Sequence, residues 1–265
     1  MRASLPMYDL PAVRAATDRW WAGLARHLRA NGVDAVPERL SRDPAPAWDA
    51  PDLLFSQTCG YPLTHALAGR VTPVCTPCYA AAGCNGARYS SLLVVAAGSD
   101  ARALEQLRGG VCALNARDSH SGCNALRRMV APLARGGRFF ERVFETGDHA
   151  DSLAAVAAGA ADLCAVDAVT HALLARHEPG SLAGTRVLGH SPAAPGLPCI
   201  AGPEVDGETV GRMRRAVRAA LADRGLRSTR AALLITGAEV VPLAAYDRIL
   251  AMEREAQALG YPELR

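Results

Sequence analysis

The sequence predicts an α/β protein of two lobes joined by a two-strand hinge, with a ligand cleft between the lobes. Short apolar runs alternate with amphipathic stretches along most of the 265 residues. That is the pattern of open, mainly parallel sheets covered by helices on both faces. A long apolar run at 89–97 and a return at 186–202 read as two crossings between lobes. Lobe one then comes from both chain ends, 1–91 and 190–265, and lobe two from the middle, 92–189. The composition, 50% hydrophobic and 21% charged with 24 Gly and 17 Pro, is that of a globular protein and excludes collagen-like and disordered classes.

The elements follow in order. Residues 5–8 read as a first strand and 10–30 as a long helix, with Val13, Trp20, Leu24 and Leu28 on one face. Asn31 and Gly32 stop that helix. A buried strand at 52–55, a short helix at 60–68 and a strand at 71–74 complete the first set, before the crossing at 89–97. The second set has strands at 111–114, 139–144 and 163–166, followed by helices at 121–134, 151–160 and 168–176. A return strand starts at 186–188, and a Pro-rich turn spans 191–198. The tail reads as helical, with one stripe of Val210, Met213, Val217 and Leu221 and another of Leu243, Tyr246 and Leu250. Arg212, Arg214, Arg215 and Arg218 read as the solvated side of the first of these helices.

Charge and cysteines narrow the function classes. All 29 basic residues are Arg, since the chain has 53 Ala and no Lys, and they are dispersed; a net charge of +3 gives no nucleic-acid footprint. No run of 18 apolar residues exists, so no membrane insertion is expected. No apolar segment follows Met1 and Arg2. The sequence as written therefore points to the cytoplasm, with the periplasm as the alternative if a leader was removed. Of the eight cysteines, Cys112 and Cys164 lie in apolar strand-like runs and read as buried, reduced side chains. Cys75-x-x-Cys78, with Cys84 nearby, is the only metal-like cluster; it lacks a second paired set, so no metal or other cofactor is expected, although the spacing also permits a local disulfide.

Four polar clusters fall between a strand and a helix, where α/β sheets bind ligands. The strongest is the run from Asn115 to Gly122: Ser119 or Ser121 caps the coming helix, Gly122 lets a ligand approach the backbone, and His120 lies between the hydroxyls. Free N–H groups and the helix dipole make this an anion seat, although a plain N-cap fits the same residues. The second is 55–61, where Thr58 is the cap candidate and Tyr61 a residue for the cleft. The third places His149 after Thr146 and Gly147; the fourth is Asp167, facing a ligand or capping the next helix. Tyr89 opens the hinge strand. No Gly-x-Ser-x-Gly elbow, P-loop or Gly-x-Gly-x-x-Gly is present, which favours binding over catalysis.

The turn Asp118-Ser119-x-Ser121-Gly122 resembles the anion-binding turn of the PhnD-like phosphate, phosphite and phosphonate receptors of ABC transporters. The stretch Gly147-x-His149, Ser152 and the following Ala-rich helix to Asp162 continue the resemblance. So do Asp167 and the turn from Ser191 to Pro198, and the ordered set covers about 3–202. The resemblance implies a type II periplasmic-binding fold that closes on a small oxyanion and delivers it to a transporter permease. It implies Tyr61, Tyr89, Ser119, His120, Ser121 and His149 as ligand contacts, with Asp167 on the ligand's polar end. Aminophosphonate binders of this kind place a second carboxylate in the Pro-rich turn; Pro195, Gly196, Leu197 and Pro198 offer none, which points away from an aminated ligand. The alternatives are a cytosolic enzyme on the same fold, acting on a carboxylated small molecule, and a cytosolic ligand sensor.

Overall fold

The computed structural model describes residues 1–45 and 47–265. The chain forms two compact units. Unit one comprises Met1–Ala80, Asn85–Ala87 and Pro195–Ala245; unit two comprises Ala81–Cys84, Arg88–Ala194 and Tyr246–Arg265.

The sheet of unit one has the order Arg2–Ala3, Leu53–Gln57, Cys199–Ala201, Thr72–Tyr79, Ile235–Glu239. Only its first pair is parallel. Helix Arg14–Ala30 buries Trp20, Leu24 and Leu28, as their spacing predicts, and ends at Gly32, whose φ of +75° turns the chain away. Trp21 lies against Phe55 of the strand Leu53–Gln57 at 6.1 Å. Helix Gly207–Ala222 packs on Arg14–Ala30 and buries Val210, Met213 and Val217.

Several expectations for this unit are corrected. Residues 5–8 are not a strand: Pro6 lacks the N–H a ladder needs, and Pro6–Tyr8 forms a 3₁₀ turn after the short strand Arg2–Ala3. The tail is not all helix, because Ile235–Glu239 pairs antiparallel with Thr72–Tyr79. The arginine face is only half solvated. Arg214 donates to the carbonyls of Pro73 and Val74, and Arg212 to that of Gly32, while Arg215 and Arg218 are exposed.

Unit two has the sheet order Thr185–His190, Ser91–Ala96, Leu163–Asp167, Val111–Leu114, Arg142–Glu145. The last three strands are mutually parallel, whereas the first two pair antiparallel; mixed sheets thus replace the mainly parallel ones expected. The helices begin beyond the C-terminal ends of the parallel strands: His149–Ala157 follows Arg142–Glu145, and Ala168–His177 follows Leu163–Asp167. The strand foreseen at 139–144 starts only at Arg142, because Phe139 and Phe140 turn into the core as an edge-to-face pair.

The C-terminal segment differs most from the sequence reading. Tyr246–Arg265 belongs to unit two rather than to lobe one. Its helix Asp247–Ala258 buries Ile249, Met252 and Ala256, with Tyr246 just ahead of it, in place of the stripe through Leu243 and Leu250; Leu243 is exposed. Tyr261 and Leu264 complete the core beside Phe139, Phe140, Leu126 and Val130. No helix among the described residues is long and apolar enough to cross a membrane.

The cysteines of the described residues are all free thiols. Cys75 and Cys78 lie three residues apart in one strand, which puts their Cα atoms about 10 Å apart. A disulfide tolerates no more than about 7 Å, so the local bridge is ruled out. Cys75 instead pairs across the strand register with Cys199.

Candidate functional site

The geometry of the site follows from the parallel strands of unit two. Leu114 stands opposite Glu145 in register, so the two strands end at the same level. The loops that leave them stay joined: Thr146 N donates to Leu114 O at 2.8 Å, and Gly147 N to Asn115 O at 3.0 Å. Two helices therefore begin side by side. One opens with a wide π turn, His120–Asn124, and runs on as Ala125–Val130; the other is His149–Ala157.

The first helix is capped by Ser119, whose Oγ accepts from Gly122 N at 3.0 Å. Its π character shows in two long-range bonds, Asn124 N to Ser119 O and Ala125 N to His120 O. Such wide turns are frequent at functional sites. Ser119 Oγ and Ser121 Oγ lie 3.4 Å apart, and Ser121 Oγ is 3.1 Å from His149 Nε2. The second helix is capped by Asp148, which accepts from Asp151 N. The structure thus brings Ser119, Ser121 and His149 together in one hydrogen-bonded row across two helix N-termini, whose dipoles favour an anion.

Gly122 is required there by close packing. A Cβ at this position would stand 1.8 Å from Asn115 Oδ1 and 3.4 Å from His149 Cε1. Asn115 Oδ1 and His149 Nδ1 are buried polar atoms with no hydrogen-bond partner among the described residues. Unpartnered buried polar groups are costly, and two in one place mark a site for a ligand or water. The sequence reading did not single out Asn115; its signal is an amide residue directly after a strand and seven residues before a glycine.

Burial makes both imidazoles of the site neutral at pH 7. It pushes His149 down to about 4, against a small upward pull from Asp148. It pushes His120 down to about 3, with the positive charge of Arg248 adding to the effect. His120 is 2% exposed, and the Tyr89 ring, itself buried, lies 6.1 Å from it. Arg117, nearby in sequence, pairs with Glu145.

The remaining candidates separate. Asp167 takes the capping role: its Oδ1 accepts from Val169 N at 2.7 Å and Thr170 N at 3.2 Å. Thr58 and Tyr61 belong to unit one. Thr58 is not the helix cap foreseen, because the chain stays extended through Cys59, which holds the cap position without a side-chain bond; Thr58 Oγ1 turns to Cys59 O. Tyr61 stacks on His65, with centroids 3.9 Å apart. Among the described residues no group of three or more His, Cys, Asp or Glu side chains is placed to hold a metal ion.

Residues 48–246 match the model of a family described as the phosphonate periplasmic substrate-binding protein of ABC transporters. The chain belongs to that family. Its members are substrate-binding proteins of transporters, and the same-fold enzyme is accordingly not favoured. No curated protein matches the sequence. Solved structures with the same fold include PhnD1 from Prochlorococcus marinus in complex with methylphosphonate, at 12% identity and TM-score 0.76, covering 97% of this chain and 98% of that one. The binding-protein component of an ABC phosphonate transporter from Pseudomonas aeruginosa is similar at 15% identity and TM-score 0.72, covering 98% and 87%. XAC2383 from Xanthomonas citri, bound to ATP, is similar at 15% identity and TM-score 0.70, covering 98% of each chain. These neighbours support a type II periplasmic-binding fold for this phosphonate-family protein.

Proposed function

We propose that this phosphonate-family receptor takes a small phosphoryl-type oxyanion, such as phosphonate, phosphite or phosphate, and seats it at Ser119–Gly122 and His149. The observation that carries the reading is the row Ser119, Ser121 and His149 across two helix N-termini, beside the unpartnered polar atoms of Asn115 and His149. Short hydroxyls, backbone N–H groups and a neutral imidazole read phosphoryl oxygens one by one. The family's place in ABC transport supports a permease as the partner and the periplasm as the site of action.

Calorimetry with phosphate, phosphite, methylphosphonate and sulfate tests this on wild type and on a double Ser119→Ala, Ser121→Ala variant. Each hydrogen bond lost to a charged ligand costs about 1.5–3 kcal/mol, so binding falls by at least about tenfold. Folding loses only a cap, about 1 kcal/mol. Binding of a carboxylated aromatic with no oxyanion bound would overturn the ligand class. Equal binding by the double variant would overturn the seat.

A further inference from the structure

We propose that Cys75 and Cys199, facing thiols on neighbouring strands of unit one, are a disulfide site: under oxidising conditions their sulfurs bond and tie the strand that runs on into unit two to the strand that returns from it. The inference stands on unit one alone and is independent of the oxyanion reading.

Strand register brings the pair together. Cys199 stands opposite Cys75 where Cys199–Ala201 pairs antiparallel with Thr72–Tyr79. Residues that face each other in such a pair have Cα atoms about 4.5–5.5 Å apart and side chains on one face of the sheet. A disulfide takes Cα separations of about 4.4–6.8 Å. It also asks the Cβ atoms to come within about 3.5–4.5 Å, closer than many facing pairs. The ladder is loose enough here to allow that. Its register shifts after Cys199, so that Ile200 faces Pro73 and Val74 is passed over. Pro73 has no N–H with which to fix the strand spacing. The carbonyls of Pro73 and Val74 accept from Arg214. Cys75 is 5% exposed and Cys199 7%, and contact with Cys75, together with burial, raises the Cys199 thiol well above its usual value.

The other cysteines of the two five-stranded sheets lack such a partner. Cys78 faces Gly237, and its thiol donates to Glu239 Oε1 at 3.5 Å. Cys112 faces Leu163 and Cys164 faces Ala113, which puts those two on opposite faces of their sheet.

The oxidant is itself a disulfide, either glutathione disulfide or a protein dithiol oxidant. The thiolate of one cysteine attacks it, forms a mixed disulfide and releases one thiol. The thiolate of the other cysteine then attacks the first cysteine's sulfur and releases the second thiol. The pair gives up two protons and two electrons, and the oxidant leaves as two thiols. A buried thiol held in its neutral form attacks slowly, so the bond closes while the strands are still pairing. Once closed it is shielded from reductants. It shuts a loop that contains Arg88–Ala194, the larger part of unit two, and closing a long loop removes much freedom from the unfolded chain. Such bonds persist in oxidising compartments, of which the periplasm of the matched family is one.

The test refolds the full chain in a buffer of glutathione and glutathione disulfide, alkylates the remaining thiols in denaturant, and maps linked peptides by mass spectrometry without reduction. The expected product is a single cross-link, Cys75 to Cys199, which reduction opens with the gain of two hydrogens. The same mapping on folded protein, oxidised in urea below its unfolding transition, removes any dependence on refolding. The linked protein is expected to melt about 5–15 °C above the same chain kept reduced. A Cys75→Ala, Cys199→Ala variant should melt alike from oxidising and reducing buffers. Cys75 and Cys199 both alkylated in the two oxidised samples overturn the proposal, and that result needs no variant. A cross-link from either residue to a different cysteine overturns it too. A midpoint that the link leaves unmoved, or that rises equally in the double variant, shows that the two strands are not what the bond ties.

Discussion

Replacing Gly122 by alanine puts the geometry of the seat under direct strain. The added Cβ would lie 1.8 Å from Asn115 Oδ1 and 3.0 Å from Asn115 Cγ, so the Asn115 side chain must leave its place. His149 Cε1, at 3.4 Å, needs little or no shift. The φ of Gly122 is not in the left-handed region, and alanine therefore brings no backbone strain. Two opposing effects set the size of the change. Overpacking costs about 1–3 kcal/mol. Alanine in place of glycine inside a helix returns about 1 kcal/mol. Net destabilisation is thus about 0–2 kcal/mol, small beside the effect on binding, because the displaced amide moves into the space next to Ser121 and His149. Methylphosphonate affinity is expected to fall about tenfold or more, the value of one hydrogen bond to an anion. A double-mutant cycle with Asn115→Ala isolates the cause: with the amide gone the new methyl fits, and the two stability changes fail to add by about 0.5–3 kcal/mol. Chemical denaturation of the four proteins measures the coupling, and calorimetry the affinity. Strict additivity, or Gly122→Ala binding like wild type, would show that contact with Asn115 is not what this glycine serves.

Acid should destabilise the protein through its buried imidazoles. His120 titrates near 3 when folded against 6.5 ordinarily, so below pH 6.5 the unfolded chain binds a proton that the folded one refuses. Stability then falls from about pH 6.5 toward pH 3 by up to about 1.4 kcal/mol per pH unit for this residue; urea unfolding of wild type and His120→Gln across that window checks it, and parallel curves would refute it. Thiol chemistry gives a further check. Burial raises Cys164 to about 12 and Cys112 well above its usual value, and both are fully enclosed. In native protein the partly exposed Cys59 and Cys84 should be labelled by an alkylating reagent well before Cys112 and Cys164, as mass spectrometry of the digested protein would report.

The sequence was most legible where a short-range pattern and a tertiary environment agree. Trp20, Leu24 and Leu28 keep one helical stripe, and Val111–Leu114 and 163–166 are apolar runs buried almost throughout. The capping serine was legible too, because Ser119 serves its own helix three residues on. What local pattern cannot carry is a pairing made at long range. Ile235–Glu239 contains Thr236, Gly237 and Ala238, a weak strand signal, and becomes a strand only because Thr72–Tyr79 offers it an open edge. Leu243 and Leu250 have the helical spacing of a stripe, yet Ile249 and Met252 are the residues that meet the core.

The tail carries the same lesson into the site. Nothing near Arg127 in sequence announces that its guanidinium will reach Pro262 O and Glu253, 135 and 126 residues away by number. Read locally, Arg127 is one more arginine on an amphipathic helix with a solvated side. In the fold it is 7% exposed, and a charge so enclosed persists only where its Nη1 and Nη2 groups find partners. Those partners are drawn from Asn124, which lies under the seat, and from the C-terminal segment, so the enclosure that stabilises the arginine also orients the amide beside His120. The seat's hydroxyls could be read from the spacing of Ser119 and Ser121 because Ser119 caps its own turn and Ser121 stands beside it. The contacts around His120 could not, since Asn124 meets Ile249 and Arg127 meets Pro262 only through the packing of the C-terminal segment within unit two.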